Sequence, residues 1–299
     1  MQNTPPQRLG ILARTLARPS ARLASALLLV VCMAAALLPL FLHSNPQETS
    51  ANTCISPNAT YPFGTDVNGR DLLSRTLQGA RISLLVGLSG AIVSLIIGTS
   101  VGIIAGYFGG TLDALLMRMV DVLYSVPRLI LIILANFVFD PVLQGWLAKF
   151  QNGVWIGYSK ILILILALGC IEWLTMARIV RGQVLSLKTL PFVQAALALG
   201  QSHPKILTRH LLPNLSGIII VYLTLTIPAV ILDESFLSFL GLGIQPPQAS
   251  WGSLLSDGAQ ALNPIESHWW LLVFPAALMS MTLLALNFVG DALRDALSK

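Results

Sequence analysis

The alternation of apolar and polar positions divides the chain into six long apolar segments joined by polar, turn-rich connections. The segments are expected at 23–42, 82–104, 113–138, 160–176, 217–239 and 269–289. Each is close to the roughly 20 residues with which an α-helix crosses a bilayer. The fold class expected is all-α transmembrane with six helices, because only helices and closed barrels satisfy their own backbone in lipid. The expected organisation is a tail at 1–22, a first span at 23–42 and an external segment at 43–80. A core of five spans follows at 81–292, with a short helix in the connection at 190–202, and a tail at 293–299 ends the chain.

Small residues punctuate the second span. Ser94, Gly98, Gly102, Gly106 and Gly110 recur at every fourth position, on one helical face. Such a stripe lets helices pack closely in lipid. Gly106-Tyr-Phe-Gly-Gly110 marks the end of that span. In the third, Arg118 and Asp121 lie at i, i+3 and are expected to pair, and Pro127 interrupts or kinks the helix. Arg128 then falls inside the apolar run, where a charge is costly unless it meets water or a partner. Two readings stay open for it. One is a path-lining cation that meets a carboxylate on a substrate or a neighbouring helix; the other is a structural pair or a snorkelling side chain. Glu172, Asp233 and Glu234 are the other translocation-path candidates, because they too are charges within apolar spans.

Composition supports the membrane placement. The chain is 55% hydrophobic and 10% charged, where soluble domains carry about 25% charged residues. The net charge of +5 records topology rather than nucleic-acid binding. Six spans put both termini on one side, and twelve cations fall in the segments of that side against five on the other. By the positive-inside rule the termini and the 188–214 connection are cytoplasmic. A cleaved signal peptide competes for the first segment, but its apolar run exceeds the usual signal core of about 7–15 residues. Cys32, Cys54 and Cys170 have neither metal spacing nor an evident disulfide partner. No His-Glu-x-x-His motif occurs, and no Gly-x-x-x-x-Gly-Lys-Ser/Thr loop is present to cradle a nucleotide. Neither catalytic residues nor a metal site is expected. Uphill transport would need an ion gradient or another chain.

The connection from Lys188 to Asn214 is a polar, basic island between two apolar segments. Val193 to Leu199 reads as a short helix, with Pro191 near its start and Gly200 just past its end. Ala195, Ala196, Ala198 and Gly200 keep most of its sides small, as a docking element requires.

This island resembles the coupling signature of permease subunits of ATP-binding-cassette importers. That pattern runs Glu-Ala-Ala, three residues, then Gly; here it is Gln194-Ala195-Ala196, three residues, Gly200. Gln194 departs from the usual acid. Phe63-Gly-Thr-Asp66, Gly69-Arg-Asp71, Gly79-Ala-Arg-Ile-Ser83, Ala177-Arg-Ile-Val-Arg-Gly-Gln183, Glu234-Ser-Phe-Leu-Ser-Phe-Leu-Gly-Leu-Gly243 and Ser250-Trp-Gly252 are similar to the dipeptide, oligopeptide and nickel permease group. Within it they are most similar to the C-type subunit of oligopeptide permeases. The resemblance implies a non-catalytic subunit of the type I importer fold in a bacterial inner membrane, importing peptides. It implies a heterodimer with a homologous permease subunit, two ATPase subunits that bind ATP and magnesium, and a periplasmic peptide-binding protein. ATPase coupling would fall to Phe192, Gln194, Ala195, Ala196 and Gly200. Nickel, dipeptide or antimicrobial-peptide import remains the alternative within the group, and an ion-coupled carrier with Arg128, Glu172, Asp233 and Glu234 as its relay lies outside it.

Overall fold

The computed structural model describes residues 15–41, 45–147, 156–262 and 266–297. The described residues are helical apart from turns and one isolated bridge, Thr65 to Asp71. In chain order the helices are α1 (Pro19–Phe41), α2 (Leu72–Phe108), α3 (Gly110–Ser125), α4 (Arg128–Leu147), α5 (Ile156–Leu187), α6 (Pro191–Ala198) and α7 (His203–Ile206). A π-helical turn (Leu207–Leu211) joins α7 to α8 (Leu212–Phe239), and α9 (Trp251–Gln260) and α10 (Trp270–Leu297) complete the fold. Among the described residues, six helical stretches are long and apolar enough to cross a membrane: Pro19–Leu38, Leu72–Phe108, Arg128–Trp146, Ser159–Leu187, His203–Phe239 and Trp270–Leu297.

Helices α2 and α5 form the centre. At Gly98 an added Cβ would lie 2.6 Å from the Met176 Cβ, and at Gly102 2.6 Å from the Ala177 carbonyl oxygen. At Gly106 it would lie 2.8 Å from the Val184 Cβ. The contact is reciprocal, since a Cβ on Gly169 of α5 would lie 2.5 Å from the Val93 Cβ. The stripe of small residues is thus the α5 seat. Gly110 does not belong to it: α2 ends at Phe108, and a Cβ on Gly110 meets nothing within 4 Å.

Several boundaries differ from the pattern-based expectation, among them the fifth span, whose apolar helical stretch begins at His203, and the sixth, which runs to Leu297. The second span begins at Leu72 rather than near 82, because Asp71 caps it by accepting from the amides of Leu73 (3.3 Å) and Ser74 (3.1 Å). The third span begins at Arg128, not 113, because Val126 is extended (φ −91°, ψ 132°) and the residue before a proline avoids the helical region. Asp140 belongs to helix α4 rather than to a loop; residues 148–155 of that expected loop lie outside the described residues. The connection expected to be turns at 240–268 contains α9, whose first turn is closed by a reciprocal Ser250–Ser253 capping box.

The segment before α2 is not the loose chain expected at 43–80. Phe63 stacks on Phe274 at 4.2 Å, and the Trp270 indole N–H donates to the Thr65 carbonyl (3.4 Å). Trp270 is therefore a core residue, whereas the adjacent Trp269 is about half exposed. Buried Asp66 accepts from the amides of Asn68 and Arg70 (2.9 Å each) and from the Arg70 Nε (2.7 Å), and it contacts Arg75 of α2. Burial pushes its carboxyl up, but the Arg70 amide and the charges of Arg75 and Arg70 outweigh this and hold it below the usual carboxylate range.

Two outcomes follow from this packing. Gly102→Leu should abolish a stable folded species in detergent, whereas Gly145→Ala, where a Cβ meets nothing within 4 Å, should leave thermal stability unchanged or slightly raised; size-exclusion and melting curves decide both. Asp66 ionises at lower pH folded than unfolded, so its stabilisation is complete above the ordinary carboxylate value of about 3.9. It is lost as pH falls from there through the folded value. The difference in melting temperature between the native chain and Asp66→Asn should be constant above about pH 5 and shrink below about pH 4.

Candidate functional site

The break at Val126-Pro127 places Arg128 at the first turn of α4, half-exposed. Its Nη1 donates to the Glu172 Oε1 on α5 (2.8 Å) and its Nη2 to the Asp233 Oδ1 on α8 (2.9 Å). One guanidinium thus ties three helices, and both carboxylates are largely buried. A groove of about 260 Å³, lined by Tyr124, Arg128, Glu172 and Thr175 among others, lies beside it. Arg128 thus meets carboxylates on two neighbouring helices, as either the path-lining or the structural-pair reading allows. The three groups carry a formal charge of −1.

Glu234, the fourth path candidate, does not join them. It is fully buried and accepts from the hydroxyls of Ser83 (2.8 Å), Ser238 (2.7 Å) and Ser235 (3.3 Å). The Ser83 oxygen also accepts from the Trp251 amide (3.3 Å), and the Ser238 oxygen from the Ile244 amide (3.0 Å). Glu234 therefore stitches α2, α8, the 240–250 turn and the start of α9. Adjacent residues on a helix point about 100° apart, so Asp233 and Glu234 necessarily face different neighbours. Their different roles required the neighbours to be known.

The acids of α3 also pair across helices rather than along one. Asp121 takes Arg178 (2.7 Å) instead of Arg118, and Asp113 takes Arg181 through two bonds of 2.5 and 2.6 Å. The hydrogen bond from Arg181 holds the Asp113 carboxyl below its ordinary range. Arg178 also covers the Tyr124 ring at 4.1 Å. The letters Gly98-Thr-Ser-Val-Gly102 match a nucleophile-elbow pattern, but Ser100 lies mid-helix and donates to the Ile96 carbonyl (2.7 Å). No strand-to-helix turn presents it.

Just beyond the C-terminal end of α5, helix α6 occupies Pro191–Ala198 with Pro191 in its first turn. It closes in a Schellman motif: Gln201 N–H donates to the Ala196 carbonyl (3.1 Å), Gly200 N–H to the Leu197 carbonyl (2.9 Å), and Gly200 has φ +72°. Val193 and Ala196 are buried in a cluster with Val180 and Val184 of α5, Ile103 of α2 and Leu215 of α8. Phe192, Gln194, Ala195, Leu199 and Gly200 face outward. Of the five coupling residues, Ala196 is thus a seat within the chain, not an outer contact. Gln194 Nε2 donates to the Lys188 carbonyl at the α5 terminus (2.7 Å), and Lys188 Nζ donates to the Gly106 carbonyl (2.7 Å). A glutamate at 194 could not make that first bond, which gives the atypical residue a local role.

Residues 98–299 match the family of binding-protein-dependent transport system inner membrane components. The chain belongs to this family. The permease is 49% identical over 235 residues to the oligopeptide transport system permease protein OppC of Escherichia coli K12, covering 79% of this chain and 71% of that protein. It is 46% identical to OppC of Haemophilus influenzae (79% and 69% covered) and 42% identical to the dipeptide transport system permease protein DppC of Bacillus subtilis (85% and 73%). An inward-facing structure of the MetNI methionine ABC transporter shares its fold, with a TM-score of 0.54 at 19% identity over 75% of this chain and 97% of that one. The permease fold thus carries both the Arg128 cluster and α6.

Removing Arg128 leaves two largely buried carboxylates without their shared counter-ion, a loss that costs up to about 3–5 kcal/mol. Arg128→Met should lower the melting temperature sharply, and Arg128→Lys should recover only part of it, since an ammonium lacks the fork that spans two acids. The triple variant Arg128→Met, Glu172→Gln, Asp233→Asn should melt above Arg128→Met alone; equal melting of the two would refute the charge account.

Proposed function

We propose that this permease is the membrane subunit of an ATP-driven peptide importer, forming half of the translocation path with a homologous permease subunit. The observation that carries the coupling half of this reading is the seat of α6. Its inner face is locked on α2, α5 and α8, while Leu199, 81% exposed, and Phe192 face out beside Gly200. A force applied to that outer face would move α5 and α8 together, and those two helices hold Glu172 and Asp233. The force would come from two ATPase subunits that bind ATP and magnesium, with the chain itself non-catalytic. The names of the relatives support peptide as cargo. On this reading the termini and α6 are cytoplasmic, and the Asp66 loop and α9 face a periplasmic peptide-binding protein. An ion-coupled relay through all four acidic and basic path residues is disfavoured, because Glu234 bonds to serines and not to the Arg128 cluster.

Gly200 separates the two contributions to coupling. Within the chain a Cβ there meets nothing within 4 Å, yet φ +72° disfavours any branched residue. Reconstituted with its ATPase, partner-permease and binding-protein subunits, Gly200→Val should insert normally but lose at least about tenfold of ATP-dependent peptide uptake, the equivalent of the roughly 1–2 kcal/mol strain of a left-handed residue. Gly200→Asn, which tolerates that conformation, should keep most of it. Unimpaired uptake by Gly200→Val would overturn the coupling assignment.

A further inference from the structure

A cavity of about 410 Å³ lies apart from the Arg128 groove, between α4, α5 and the turn after α8. Asn136 and Asp140 of α4, Lys160 of α5 and Gln245 of the turn supply its polar lining, against apolar walls that include Ile133 and Leu164. Two donors there are unused. The Asn136 Nδ2 is buried without a hydrogen-bond partner among the described residues. Lys160 is only partly exposed and makes no ion pair or hydrogen bond among the described residues. The other polar groups are engaged within the chain: the Asp140 Oδ1 accepts from Gln144 Nε2 (2.8 Å), and Gln245 Nε2 donates to the Gly241 carbonyl (2.6 Å). Lys160 stands at the start of its span and shares the cavity with Asp140 without pairing to it among the described residues, and a buried amide N–H without an acceptor is costly.

We propose that this cavity is a carboxylate subsite, in which Lys160 and the Asn136 amide hold the terminal carboxylate of a peptide passing through the permease. The inference rests on the peptide-importer reading. A carboxylate has two oxygens, one for the ammonium and one for the amide. Asp140 in the same cavity would repel a phosphate, with its further charge, more than a singly charged carboxylate. Position supports a place on the path. Lys160 lies twelve residues before Glu172 on α5 and Asp140 twelve after Arg128 on α4, each about 18 Å along its helix. The cavity and the ion cluster therefore occupy one seam between the same elements. A cargo carboxylate would meet unused donors in the cavity, whereas Arg128 already has two acids.

The test uses the full assembly in proteoliposomes, with saturating binding protein whose affinity for each cargo is measured separately. Its probes are a peptide with a free carboxylate and the same peptide as its C-terminal amide. The unmodified assembly should import the acid about tenfold or more faster than the amide, the scale of one charge-assisted hydrogen bond. Lys160→Met and Asn136→Leu should each bring that ratio towards one, and Lys160→Arg should keep it. The subsite is overturned if the unmodified assembly shows no preference, if Lys160→Met retains it, or if both cargoes fall in parallel, the mark of a packing role. Competition of anionic-lipid vesicles with the ratio, at unchanged binding-protein affinity, would also overturn it in favour of a lipid phosphate. If the unmodified assembly imports neither peptide, the peptide reading itself fails.

Discussion

Helices α2 and α5 lie so close that the backbone of each is in contact with the other's side chains, and this contact sets the rest of the bundle. In lipid no hydrophobic force drives helices together, so association comes from van der Waals contact and hydrogen bonding. Glycines at 98, 102, 106 and 169 supply the first by letting two long helices meet over most of their shared length. Once α5 is seated, its C-terminal half is committed. That half brings Glu172 to Arg128 and Arg178 and Arg181 to α3, and then hands the chain directly to α6.

Polar groups supply the second kind of force. Each buried acid of the spans has its charge or its hydrogen bonds met: Asp233 and Glu172 by one guanidinium, Glu234 by three hydroxyls. The two solutions differ in their consequences. The serine nest fixes the C-terminal end of α8 against α2 and α9. The guanidinium bridge sits beside a groove, half-exposed, and joins α4, α5 and α8. Two acids one residue apart on α8 thus belong to separate networks.

Much of this was legible in the residues. Six spans, the small-residue face of α2, the stop at Gly106-Tyr-Phe-Gly-Gly110 and the Pro191-to-Gly200 helix follow from periodicity and from start and stop signals, which act within a few residues. The losses were of two kinds. Boundaries moved where a local device outran hydropathy, as with the Asp71 cap, the Val126-Pro127 break and the Ser250–Ser253 box. Pairings were missed where spacing along one helix suggested a partner that another helix provided, as with Asp121 and Arg178.

The sequence by itself determined the class of the protein, the number of its spans and the character of the 188–214 connection, because apolar length, charge asymmetry and capping residues are properties of short stretches. Only the tertiary structure decided that Arg128 answers to Glu172 and Asp233, that Glu234 is sequestered, that Ala196 faces inward and that Lys160 and Asn136 share a cavity. Each of those facts depends on which helix lies opposite. In a bundle held by close backbone contact, that neighbour is chosen by glycines many residues away.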